Sequence, residues 1–207
     1  MKRIVNLFPV TVLEADIDQS LLLNNQLLSM IKNLFENSTS NRVLSHHWKH
    51  NIQESTHSKL GYSSFNESDI SKDPNFKFFF DAITPTINEF FQQLDYTSKW
   101  KFENSWSNIY PKGAYVPTHD HRGVHWSAVY YVQADNNCGE LLVIDPKEYA
   151  LSYEPENTKY RGNHLSSFVP VPGKLIMFPG YLKHESDPNQ SDSDRIIISF
   201  NVNCYDS

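Results

Sequence analysis

Apolar residues recur every three to four positions in two stretches of the N-terminal half and every second position through much of the C-terminal half. Leu23, Leu27, Met30, Ile31 and Leu34 fall on one side of a helical period and predict an amphipathic helix over 18–36. Phe76, Phe79, Phe80, Ile83, Ile87, Phe90 and Leu94 form a second stripe, opened by Asp73 as N-cap and Pro74 as first helical residue. Pro85 lies inside that stripe with no amide hydrogen to give, which predicts a kink or a restart capped by Thr84. Upstream, Ile4, Leu7, Val10 and Val12 predict a strand over 3–13, with Pro9 favouring a sheet edge. The stretch from Asn37 to Asp73 is rich in Ser, Asn, His and Lys and reads as loop with short strand pieces.

From Lys101 onward the pattern changes to short strands over 102–110, 114–119, 126–133, 139–144, 174–178, 182–187 and 195–203. Turn formers such as Asp135-Asn-Asn137, Pro172-Gly173 and Pro179-Gly180 separate them, as in a barrel or sandwich. In the last strand Arg195, Ile197, Ser199 and Asn201 share one face, and Ile196, Ile198, Phe200 and Val202 share the other. That division predicts a pocket on the polar side and an apolar layer behind it, too apolar for solvent unless the N-terminal helices cover it.

At 207 residues the chain suits one domain with a sizeable core. No apolar run approaches the roughly 20 residues that cross a bilayer, and the start, Met1 to Pro9, is too short and interrupted for a secretory signal, so a cytoplasmic location is expected. Cys138 and Cys204 are too few to staple a fold of this size and read as free thiols. A net charge of -6 argues against a wide phosphate-tracking surface, which disfavours nucleic acid as a partner. No P-loop and no Gly-x-Ser-x-Gly elbow occurs.

The candidate chemistry lies in His119-Asp120-His121. In extended chain, residues two apart project to the same face, so His119 and His121 can offer imidazole nitrogens to one ion while Asp120 points away. His184, from a distant strand, would close a facial triad and leave open positions on the metal for a chelating co-substrate and O2. Arg195, a planar fork of fixed charge, suits the far carboxylate of a dicarboxylate ligand. Asp120 stays a candidate ligand if the strand bulges, and His121 a candidate first ligand with Gly123 as a blank position open to chloride. His46, His47, His50, His57 and His164 show no tight ligand spacing.

The ordered run Trp106-Ser-Asn108-Ile-Tyr110-Pro-Lys-Gly113, His119-Asp-His121, Ser127-Ala-Val-Tyr-Tyr131, Gly139-Glu-Leu-Leu, Asp145-Pro146, Pro172-Gly173 to Pro179, His184 and Arg195 to Asn201 resembles the 2-oxoglutarate/Fe(II)-dependent oxygenases of bacteria and phages. The opening Leu7-Phe-Pro9 before a leucine-rich helix is similar to that family too. The resemblance implies an α+β, mainly β fold: a double-stranded β-helix, a jelly-roll or cupin-like barrel, over 99–207, supported by the strand and helices of 1–98 in one domain. It implies Fe(II) on His119, His121 and His184, and 2-oxoglutarate held by Arg195. Asn108 and Tyr110 resemble positions with which alkylation-repair dioxygenases hold the co-substrate, Tyr131 and Ser199 are further candidates beside it, and His125 is a candidate for contact with the substrate. The reaction implied is hydroxylation of an unidentified substrate by O2 with release of succinate and CO2, with ascorbate as an accessory reductant; a homo-oligomer is compatible with it. One departure stands out: the wider superfamily has His-x-Asp or His-x-Glu where this chain has His119-x-His121. Two other readings therefore stay open. One is a three-His dioxygenase of cupin type that needs no 2-oxoglutarate; the other is a non-catalytic β-barrel binding module with a structural Zn site.

Overall fold

The computed structural model describes residues 9–38, 62–65, 67–147 and 164–205. Trp126, Ala128, Tyr130 and Val132 of one strand join an apolar cluster with the helices, whereas Val129 and Tyr131 of the same strand join a second cluster on the opposite face. This alternation follows from the period of two in extended chain, and it organises the molecule. The main sheet contains six strands in the order β1-β7-β4-β9-β3-β2, and a smaller one has the order β6-β5-β8. Their ranges are Leu13–Asp16 (β1), Tyr62–Ser63 (β2), Lys99–Tyr110 (β3), Trp126–Gln133 (β4), Leu141–Ile144 (β5), Leu165–Phe168 (β6), Lys174–Pro179 (β7), His184–Ser186 (β8) and Arg195–Tyr205 (β9). All pairings are antiparallel.

The outer face of the main sheet is covered by α1 (Ser20–Asn37) and α2 (Lys77–Gln93), whose stripes bury Leu27, Ile31, Phe79, Ile83 and Ile87 against Tyr130, Phe200 and Val202. Phe79 meets Tyr130 with ring centroids 5.0 Å apart, Phe80 meets Phe102 at 4.7 Å and Phe90 meets Trp126 at 5.1 Å. Fully burying one such side chain contributes roughly 1.5–3 kcal/mol, so these contacts outweigh the weak intrinsic propensity of the Phe-rich helix. The hydroxyl of Tyr130 donates to Oδ1 of Asn24 at 2.6 Å and pins α1 to β4. Ile196, Ile198, Phe200 and Val202 lie in this outer layer, as the alternation in β9 requires.

Several sequence expectations need correction. Asp73 does accept from Asn75 N, but it caps a short 3-10 turn, Pro74–Phe76, that runs into α2. Helix α2 then passes through Pro85 without a restart, and Thr84 is an interior residue whose hydroxyl donates to Phe80 O at 2.6 Å. The N-terminal strand lies later than 3–13: residues 9–12 are outside it and pairing with β7 begins at Leu13, while residues 3–8 fall outside the described residues. Residues 114–119 form no continuous strand. Pro117 has no amide hydrogen, and the segment runs beside β8 through separate bonds between Val116 and Ser186 and between His119 and His184. Strand β6 was not foreseen. His46, His47, His50 and His57 fall outside the described residues. Among the described residues no helix is long and apolar enough to cross a membrane.

Candidate metal centre

His119 and His184 are brought side by side by a reciprocal backbone pair, His119 N to His184 O at 3.0 Å and His184 N to His119 O at 2.9 Å. Their ring centroids are 4.1 Å apart, and His121 lies 5.1 Å from each. One ring nitrogen from each of His119, His121 and His184 lies within 4.8 Å of the others. Hydrogen bonds select that nitrogen. Nδ1 of His119 donates to Pro117 O at 2.9 Å, Nδ1 of His184 to Leu182 O at 2.9 Å, and Nδ1 of His121 to Asn201 Oδ1 at 2.8 Å. With Nδ1 protonated, each Nε2 keeps its lone pair for an ion. Burial, and then the neighbouring His119, hold the His184 imidazole well below its ordinary pKa, so it is neutral. Three imidazole donors fit a divalent transition ion such as Fe(II) or Zn(II).

Asp120 stands outside this cluster, with Oδ1 3.5 Å from Arg122 Nε. Gly123 takes a positive φ of 83°, and it is His119 that adjoins His184, so the geometry gives no support to a register starting at His121.

The triad opens into a cavity of about 550 Å³ between the two sheets, lined also by Asn108, Tyr110, Tyr131, Ser199 and Arg195. The guanidinium of Arg195 is buried, with 2% of the residue exposed. Its Nη1 donates to Cys138 O at 2.7 Å, Gly139 O at 2.8 Å and more weakly Asp187 O at 3.3 Å, and Nη2 to Ser186 Oγ at 2.8 Å. The remaining donors, Nε–H and the second Nη2 hydrogen, make no hydrogen bond to a described residue and form the edge of the fork available to a carboxylate. The Tyr110 ring supports the charge, with the guanidinium carbon 4.7 Å from its centroid. Gly139 makes this possible: at φ 89° it approaches so closely that a Cβ would stand 2.7 Å from Arg195 Nη1 and 2.3 Å from Asp187 O. Burial pushes the Tyr110 and Tyr131 hydroxyls up, with the Arg195 charge opposing, and both remain protonated donors. Asn108 Nδ2 approaches Ser199 Oγ at 3.5 Å.

His125 does not join the site. It is exposed, is absent from the cavity lining, and its backbone N–H donates to Asn203 Oδ1 at 2.9 Å. Conversely, Ser186, Ser127, Asn104 and Asn201 line the cavity without having been assigned roles from sequence. The alternation in β9 had put Asn201 on the correct face, and Ser127 lay within the quoted motif.

Residues 104–201 match the family model described as "Putative 2OG-Fe(II) oxygenase". Over that span the chain is similar to the 2OG-Fe(II) oxygenases. Curated protein sequences give no match. Among solved structures, a Pseudomonas putida prolyl-4-hydroxylase is 15% identical, with 93% of this chain and 92% of that one covered and a TM-score of 0.59. A Trichoplax adhaerens prolyl hydroxylase, in complex with a hypoxia inducible factor oxygen degradation domain peptide fragment, is 16% identical over 94% and 83%, with a TM-score of 0.60. The viral collagen prolyl hydroxylase of Paramecium Bursaria Chlorella virus-1 is 14% identical over 92% and 94%, with a TM-score of 0.53. At these identities the likeness is one of fold, the antiparallel jelly-roll of 2OG oxygenases.

Proposed function

We propose that this protein is an Fe(II)- and 2-oxoglutarate-dependent hydroxylase, with His119, His121 and His184 as metal ligands and Arg195 as the anchor for the far carboxylate of 2-oxoglutarate. The observation that carries the reading is that the three imidazoles and the buried Arg195 line one cavity. Bound Fe(II) would supply the Lewis acidity and redox chemistry through which O2 and 2-oxoglutarate are converted, with succinate and CO2 released. The chain's own residues do the rest. Arg195 orients the co-substrate, Tyr110 and Tyr131 offer neutral hydroxyls beside it, Asn108 and Ser199 add polar contacts, and Val129, Leu141, Phe178 and Ile197 keep that wall of the cavity apolar. Residues 1–98 act in the same proposal as support for a catalytic core over 99–207 within one domain.

A three-His dioxygenase that binds its substrate directly remains a second reading, favoured by His121 in place of a carboxylate and by the backbone carbonyls that occupy Arg195 Nη1. O2 consumption and succinate formation separate the two. Fe(II)-loaded protein given 2-oxoglutarate alone is expected to form succinate slowly and only in the presence of O2 and iron. Tight Fe(II) binding with no succinate under any substrate mixture would favour the second reading.

A further inference from the structure

Resting on the metal-centre reading above, we propose that Asn201 is the positioning residue for His121, fixing the imidazole as the Nδ1–H tautomer so that Nε2 can serve as the third ligand. His119 and His184 obtain their Nδ1 acceptors locally, from carbonyls two residues earlier in the chain. The equivalent carbonyl for His121 is that of His119, and it already accepts from His184 N at 2.9 Å. His121 Nδ1 reaches instead to Oδ1 of Asn201, eighty residues away in sequence.

The Asn201 amide is bonded on both sides. Asn201 is buried at 5% exposure, and strand register places it opposite Asn104 of β3 on one side and Ser127 of β4 on the other. Its Nδ2 donates to Asn104 Oδ1 at 2.7 Å, and its Oδ1 accepts from Ser127 Oγ at 2.7 Å. The register shift between Phe102 and Asn104 accompanies the change that puts Phe102 in the outer layer and Asn104 in the cavity wall. An amide turned the other way would aim N–H groups at both Ser127 and His121 and would favour the Nε2–H tautomer, whose one lone pair is on Nδ1, facing the amide, and not on the Nε2 that a metal would need. Trp106 lies roughly parallel to the His121 ring, with centroids 5.9 Å apart, and limits its rotation. A carboxylate at position 121 would have no tautomer to fix, so an imidazole there and an amide at 201 form a matched pair.

The test uses the full chain and Co(II) alone, with affinity read by chelator competition and geometry by the visible d–d spectrum. Asn201→Leu is expected to weaken Co(II) binding about tenfold to a hundredfold and to change the spectrum, the range seen when an outer partner of a metal-bound histidine is removed. Asn201→Asp, which keeps an acceptor, is expected to restore most of the affinity. In a His121→Asp chain the Asn201→Leu change is expected to alter affinity by less than about twofold, because the pair no longer exists. Equal losses in both backgrounds, or no loss in the parent, would overturn the assignment. Two-bond proton–nitrogen NMR of the metal-free protein provides a check that no variant can spoil. It is expected to find His121 as Nδ1–H, and an Nε2–H signature would also overturn the assignment. A parent chain that binds no Co(II) would instead remove the metal-centre reading on which the proposal stands.

Discussion

Arg195 is held by acceptors from four residues, Cys138, Gly139, Ser186 and Asp187, whereas Nδ1 of His119 and Nδ1 of His184 are each held by a carbonyl two residues back. The two ends of the cavity therefore couple to the fold to different degrees. At the Arg195 end the proposed anchor also neutralises backbone dipoles where β5, β8 and β9 converge, so a change there is expected to touch binding and stability together. At the histidine end the imidazoles hang from a short bridge whose backbone bonds do not depend on the side chains.

Arg195→Ala tests the coupled end and should give the largest effect. A buried carbonyl left without a donor costs about 1–3 kcal/mol, and partial replacement by water leaves an expected stability loss of about 2–4 kcal/mol in urea unfolding. Binding of 2-oxoglutarate should weaken at least roughly thirtyfold, since removing one partner of a desolvated charge pair costs about 2 kcal/mol or more. Lys should restore only part of either, because it lacks the planar fork. Gly139→Ala perturbs the same end without removing a charge. Its Cβ would overlap Asp187 O and Arg195 Nη1 at a positive φ, for an expected loss of about 2–3 kcal/mol. If both variants unfold at the parent's urea midpoint, the contrast between the two ends fails.

His119→Ala tests the other end. Stoichiometric Fe(II) binding, measured by equilibrium dialysis, should disappear while the unfolding free energy stays within about 1 kcal/mol of the parent. Metal affinity retained in full would show that His119 is not a ligand.

The placement of these groups was legible in the sequence, and for a physical reason. Alternation along β9 follows from backbone geometry, so Arg195, Ser199 and Asn201 could be assigned to one face and the isoleucines to the other before any neighbour was known. His119, His121 and His184 were legible as a set through their order and spacing. The support of each group was not. The bond from His121 to Asn201 depends on the register of three strands and on a bulge in one of them, and the carbonyl cage of Arg195 depends on how closely Gly139 approaches. Likewise the bonds between 114–119 and β8 depend on where Pro117 interrupts them, which a pattern of apolar residues cannot specify.

Smaller effects sharpen the comparison. His121→Asp should retain Fe(II) and 2-oxoglutarate turnover, since it supplies the carboxylate usual in the superfamily; loss of metal would mean that the site requires three imidazoles. Ser199→Ala removes a single polar contact on the cavity wall and should weaken 2-oxoglutarate binding by roughly fivefold, about 1 kcal/mol, without moving the urea midpoint. A thirtyfold loss at that position would place the anchor elsewhere than at Arg195.

The central claim is that the histidine triad and Arg195 serve one ligand pair in one cavity. Anaerobic titration of Fe(II)-loaded protein with 2-oxoglutarate addresses it most directly, because a metal-to-ligand charge-transfer band in the visible arises only when the co-substrate chelates the iron. The band is expected to grow to one equivalent of 2-oxoglutarate in the parent, to need far more in Arg195→Lys, and to be absent in His119→Ala. Iron bound at one equivalent with no band at saturating 2-oxoglutarate would contradict the account.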